Sequence, residues 1–215
     1  MPPAAYVILA TFGLVGLVPE LLRLRRDRAM RRVPAKHVAQ LRAQEVARVR
    51  GTVRPRSSPA RSPVTGRAGV WFQFVVDQRS DFQAAPWTPA ASGAHFEPFD
   101  IIEDGAAVTV EGVVSVVGEP DHRAEVASPL TGALREVLRR ADVRVPADVR
   151  THYRVSEILL GASAVVEASG RVSVEIDPRG ERESLRGNPL RRFLRGTEEE
   201  PVVIRRAAPE EPAAT

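Results

Sequence analysis

The first residues, MPPAAYVILATFGLVGLVP from Met1 to Pro19, carry no charged side chain, and ELLRLRR follows at once. No other feature constrains the chain so strongly. An unbroken apolar run is buried either in protein or in lipid. Extended from Ala4 to Leu24 as a helix it covers about 21 residues, roughly 31 Å, which matches the hydrocarbon thickness of a bilayer. Apolar residues cover every face of that helix, unlike an amphipathic interfacial one. The basic n-region and small-residue cleavage site of a secretory signal are absent. Tyr6 suits one interface and Glu20 the other. A core helix is the competing reading, and a single transmembrane anchor over residues 1–24 is the favoured one.

Charge then sets orientation. Between Arg23 and Arg67 stand fourteen Lys or Arg against Asp27 and Glu45, a net +12, so the rest of the chain carries −8 of the total +4. Arg23, Arg25, Arg26, Arg28, Arg31, Arg32 and Lys36 all follow the apolar run. The positive-inside rule places that flank, and everything after it, in the cytoplasm. The same cations are the expected contacts to anionic lipid headgroups, each contributing about 1 kcal/mol near the surface. A plain stop-transfer signal is the alternative reading of the collar. Thirty arginines to the single Lys36 suit a GC-rich bacterial genome, which points to a bacterial inner membrane.

Residues 25–44 read as a basic juxtamembrane helix or linker. Residues 45–197 read as a mainly β domain. Val46, Arg48 and Arg50 alternate with Ala47, Val49 and Gly51, the period of a half-buried strand. In GVWFQFVVDQ, Val70, Phe72, Phe74 and Val76 share one face, and Trp71, Gln73, Val75 and Asp77 the other. If the first set faces the core, Trp71 faces out and, with Trp87, is the best surface candidate; alternatively the two tryptophans cover each other. Residues 79–93, with Pro86, Pro89, Ser92 and Gly93, read as a hairpin loop.

Asp104-Gly105 predicts a tight turn between strands at 99–102 and 107–111. SPLTGALREVLRRADV predicts one inserted helix, with Ser128 as its cap, Pro129 in its first turn, and Leu130, Leu134, Val137, Leu138 and Ala141 along one stripe. HYRVSEILLGASAVVEASGRVSVEID returns to strands, with turns at Leu160-Gly161 and Ser169-Gly170. Residues 198–215 form an acidic, proline-containing tail expected to lack fixed structure for the most part, with Val202 to Ile204 as a candidate last strand. Short strands, one helix and frequent glycine turns together predict a small OB-like β-barrel preceded by the single anchor helix.

Ser-Pro-Val-Thr-Gly at 62–66 is a tight reversal: Pro63 presets φ, Thr65 caps locally and Gly66 supplies a positive φ. The later SPLTG at 128–132 reads as a helix start that repeats this local chemistry by chance. The ordered set G-x-V, SPVTG, VWFQFVVD, Trp87, EPFDIIEDG and YRVSEILLGASAVVEASG resembles the GIDE domain, also called BAM for "beside a membrane". The resemblance covers about Val46 to Val174. It rests on Ser62, Pro63, Thr65, Gly66, Trp71, Trp87, Phe99, Gly105, Tyr153, Glu157 and Gly161, with Gly51, Pro98, Asp104, Val108, Val110 and Leu160 also matching. A stretch around Glu157 to Val165 is similar to the OB-like domain of NfeD membrane proteins.

The GIDE resemblance implies a membrane-adjacent interaction or assembly module with an unidentified protein partner. Some relatives are mitochondrial ubiquitin ligases with a C-terminal RING. A RING needs thiolates, and this chain has no cysteine. Disulfide and thiol chemistry are excluded on the same ground. His37, His95, His122 and His152 have no metal-ligand spacing, no phosphate-binding glycine loop is present, and Ser128 and Ser156 lack a nucleophile-elbow context. No catalytic residue, metal or cofactor is therefore expected. Nucleic-acid binding through an OB-like face is the disfavoured alternative, with Arg48, Arg50, Arg54, Arg56 and Arg61 on phosphates and Trp71 or Phe72 stacking.

Overall fold

The computed structural model describes residues 25, 26, 28–81, 85–127, 130, 132–143, 150–176 and 190–207. Among them no helix is long and apolar enough to cross a membrane; the anchor expected over residues 1–24, the Ser128 cap with Pro129, and residues 208–215 lie outside them. The first half of the chain forms β1 (Val46–Pro55), β2 (Ala60–Arg61), β3 (Ala68–Gly69), β4 (Trp71–Ser80), β5 (Thr88–Phe96), β6 (Phe99–Glu103) and β7 (Ala106–Gly112). Then come β8 (Val114–Val117), β9 (His122–Ala127), helix α1 (Gly132–Arg140), β10 (Thr151–Leu160), β11 (Val165–Ile176), β12 (Leu190–Gly196) and β13 (Val202–Arg206).

The protein is mainly β, and its centre is a closed five-stranded barrel. Its strands run β1-β6-β7-β12-β11 and back to β1. All contacts around the ring are antiparallel except β7 with β12, which is parallel. Alternation supplies the interior: Ala47, Val49 and Val53 of β1 point in beside Ile101, Val108, Val110, Val166 and Leu194, all buried. β11 also carries β13 along the edge where β12 begins, and β8 pairs in parallel with β13.

Two glycines mark where strands change partner. β1 pairs with β11 as far as Thr52 and with β6 from Thr52 onward, and at Gly51, beside that crossover, a Cβ would overlap the Ile102 carbonyl oxygen. At Gly170 β11 passes from β13 to β12, and a Cβ would press on Val202 at 3.1 Å. The turn expected at Ser169-Gly170 is therefore not a turn. β11 runs through it, because a missing side chain lets two strands meet on one edge. The Asp104-Gly105 turn forms as expected, with φ values of 48° and 82°.

A second sheet, β5-β4-β10-β9, is inserted into the barrel sequence. One end rests on the barrel through Trp71 and Leu160, while its other face carries Phe72, Phe74, Val76, Tyr153 and Leu159 under α1. β5 was expected as loop. It is an edge strand, where Pro89 and Gly93 are tolerated, and the Phe74 ring lies over Gly93.

Both segments that flank the barrel pack on it. Residues 25–44, expected as a basic helix or linker, are helical in part and pack on the barrel. Residues 28–32 are helical, Ala35 bridges to Arg48, and Met30, Val38 and Leu41 are buried. The candidate last strand at Val202 to Ile204 forms as β13, with Val202 and Ile204 fully buried, so the β unit extends beyond residue 197. Ile204→Ala should cost about 2–4 kcal/mol, read as a lower thermal midpoint; a change within error would show that β13 is not integral to the core.

Candidate functional site

Two of the motif residues, Ser62 and Thr65, converge on the carboxylate of a third, Glu157. Glu157 lies on β10 with 1% of its surface exposed. The Ser62 and Thr65 hydroxyls both donate to it, Ser62 Oγ to Oε1 and Thr65 Oγ1 to Oε2 at 2.6 Å. Ser62 is itself buried at 2%. Each hydroxyl also accepts from the loop backbone: Val64 N at 3.2 Å and Thr65 N at 3.4 Å reach Ser62 Oγ, and Arg67 N reaches Thr65 Oγ1 at 3.4 Å.

This arrangement explains why Ser and Thr stand at those positions. An ionised carboxylate only accepts, whereas a hydroxyl can accept from an amide and donate onward. The loop's N–H dipoles are thereby relayed to the buried charge. Backbone bonds Ser62 N to Arg67 O and Gly66 N to Ser62 O, each 2.9 Å, close the reversal, and Gly66 takes φ +71°. Burying a carboxylate without such donors would be costly.

Beside this clamp lies a groove of about 490 Å³ between α1 and the sheet, walled by Pro63 of the same loop and by Phe74, Ala91, Ala133, Val137 and Arg140. Its size falls in the range of small-ligand sites. At its rim Glu136 accepts from Arg139 at 2.7 Å and Arg140 at 2.8 Å, and these bonds hold its carboxyl down at about 2. The walls are apolar and the rim is charged, which suits an apolar side chain or acyl group.

Other motif residues lie elsewhere. Tyr153 is buried on the face of β10 that carries Glu157; burial pushes its phenol up, against a smaller opposite effect of the Thr151 hydroxyl. Phe99 is in the barrel core, edge-on to Phe96 at 6.3 Å. Gly105 and Gly161 sit in turns. Both readings of the tryptophans are corrected. Trp71 is 4% exposed, because the face of β4 opposite Phe72 packs on the barrel. Trp87 lies at the far end of β4, its ring within 4.6 and 4.8 Å of the Arg79 and Arg154 guanidinium groups, and Arg154 also pairs with Asp77.

Arg25, Arg26, Arg28, Arg31 and Arg32 are exposed, and Arg26 donates to Ser115 Oγ at 2.8 Å. Lys36 pairs with Glu45, and Arg23 lies outside the described residues. Sequence reasoning missed Asp121, which accepts from Leu159 N at 2.7 Å and pairs with Arg206, tying β10 to the end of β13. Nothing local signals it, since its partners lie far along the chain.

Among the described residues no group of three or more His, Asp or Glu is placed to hold a metal ion. No protein-family model matches the chain, and comparisons with curated proteins and with solved structures find no match.

Glu157→Ala should cost about 2–4 kcal/mol, and much less in a Ser62→Ala, Thr65→Ala background; additive losses in denaturant unfolding would show the clamp is not one unit. Because the folded-state pKa of Tyr153 is raised, its contribution is intact below the ordinary tyrosine value of about 10 and is lost as pH rises beyond it. Tyr153→Phe should therefore flatten the alkaline fall in thermal stability, and an unchanged slope would assign that fall to other groups.

Proposed function

We propose that this protein is a membrane-tethered interaction module of GIDE type, built on an OB-type barrel and acting without catalysis of its own. The observation that carries the reading is the docked collar. Met30 is 2% exposed, Arg26 bonds to β8, and the backbone from Pro34 to Lys36 bonds to Arg48 of β1. Whatever holds residues 1–24 therefore holds the barrel at short range, with Arg25, Arg28 and Arg32 exposed near that end. An apolar span followed by a docked basic segment suits a domain kept against anionic headgroups.

The family part of the reading draws support from Ser62, Thr65, Gly66 and Glu157, distant in sequence and joined in one clamp. The OB part draws support from the ring order β1-β6-β7-β12-β11, a five-stranded barrel that departs from simple up-and-down connection. The nucleic-acid alternative fares worse. Arg48 pairs with Glu167 at 3.4 Å, Arg54 and Arg56 with Asp100 at 3.4 and 3.9 Å, and Arg61 donates to Gly66 O. Trp71 and Phe72 are buried, so neither offers a stacking face.

The full chain should sediment with membranes and stay there through a high-salt wash, and a chain lacking residues 1–24 should move to the supernatant. Recovery of the intact full chain in the supernatant would overturn the proposal.

A further inference from the structure

Sheet edges are where β-proteins gain partners, because each presents an unpaired row of N–H and C=O groups. The four-stranded sheet ends in β5 on one side and β9 on the other. β5 is blunted by Pro89, Gly93 and a register shift at Val76/Asp77. β8, the terminal strand of the barrel sheet, is four residues long and holds the Arg26 side chain at Ser115. β9, HRAEVA, contains no Pro or Gly and pairs only with β10 among the described residues. Helix α1 lies on the apolar cluster of β4 and β10 and lines a groove with β4 and β5, and no β9 residue belongs to either.

The side chains of β9 suit a particular partner. Arg123 and Glu125 are exposed, and neither has an ion-pair partner among the described residues. Glu125 lies opposite Arg154, whose guanidinium goes instead to Asp77 at 2.8 Å. Val126 is 41% exposed.

We propose that β9 pairs antiparallel with β9 of a second copy, about a twofold axis through Ala124, merging the two sheets into one. An antiparallel pair related by a twofold axis keeps each sheet face continuous, so the axis must pass through a residue. Centred on Arg123, the pairing sets arginine against arginine; centred on Glu125, it sets glutamate against glutamate. Centred on Ala124, each Arg123 meets the other copy's Glu125, and each Val126 is covered by the other copy's His122. Directly opposed unlike charges stabilise a strand pair and like charges oppose it, so this register is singled out. The inference gives the interaction module proposed above a partner, and rests on that reading only for its setting at a membrane.

The test uses the full chain in its native membranes and exploits the absence of cysteine. Ala124→Cys introduces one thiol per copy, and the two would lie on directly opposed residues about 4.5–5.5 Å apart between Cα atoms, within disulfide range. Mild oxidation should give a reducible band at twice the 23.5 kDa chain mass. Arg123→Cys and Glu125→Cys place their thiols on diagonal positions, and should cross-link at least about tenfold more slowly.

Adding Arg123→Glu to Ala124→Cys should weaken dimerisation about tenfold, and adding Glu125→Arg as well should restore it. Glu125→Lys supplies the same repulsion if Arg123→Glu fails to fold by circular dichroism. Ala124→Cys cross-linking no faster than the diagonal variants, or unaffected by charge reversal, would overturn the proposal. A soluble chain that still cross-links at Ala124 refutes the membrane setting alone; a membrane-bound chain that stays monomeric refutes the pairing alone.

Discussion

Barrel closure through β11 is the constraint on which the other parts depend. Its twelve residues, Val165–Ile176, pair with β1 on one edge and with β13 and then β12 on the other. A strand serving three partners must let two of them meet on one edge, and Gly170 makes the room. Close contact recurs where β7 and β12 end together. There Gly112 and Gly196 stand opposite each other, and a Cβ on Gly196 would overlap the Val113 carbonyl. Once the ring is closed, β13 and β8 extend it and the collar packs against it through Val38 and Leu41. None of these pieces buries its apolar face without the ring.

The second sheet depends on the barrel differently. β4 and β10 pair over ten positions from Trp71↔Leu160 to Ser80↔Thr151, and only the Trp71 end rests on the barrel. The free length needs its own cover. α1 and the Ser62–Gly66 loop provide it, the first with apolar side chains and the second with hydroxyls aimed at Glu157. A buried carboxylate at this junction fixes the loop in one place, because another position would leave the charge without donors. The same loop lends Pro63 to the groove beside α1, so the shape of that groove follows from the clamp.

Much of the β1, β4, β6 and β7 pattern was legible, because a half-buried strand writes its period of two into the chain. β5 was not, since an edge strand tolerates the Pro and Gly that ordinarily announce a loop. β8 and β9 were missed as well: each is short, and their pairing with β13 and β10 joins segments far apart in the chain. The motif at 62–66 was legible as a turn but not as a clamp. Its hydroxyls gain their purpose from a residue 95 positions from Ser62 and 92 from Thr65.

The amino-acid order by itself determined the uncharged first segment and its cationic flank, the absence of thiol chemistry, the Asp104-Gly105 hairpin and the β character of the central region. These are local properties of composition and period. Only the tertiary structure decided that Trp71 is buried, that the collar and Val202–Arg206 are part of the domain, and that Ser62, Thr65 and Glu157 form one site. The reason is that burial is set by what packs against both faces of a strand. Alternation marks two faces, but the second sheet and the barrel share one contact, and that contact covers the face that a single isolated sheet would expose.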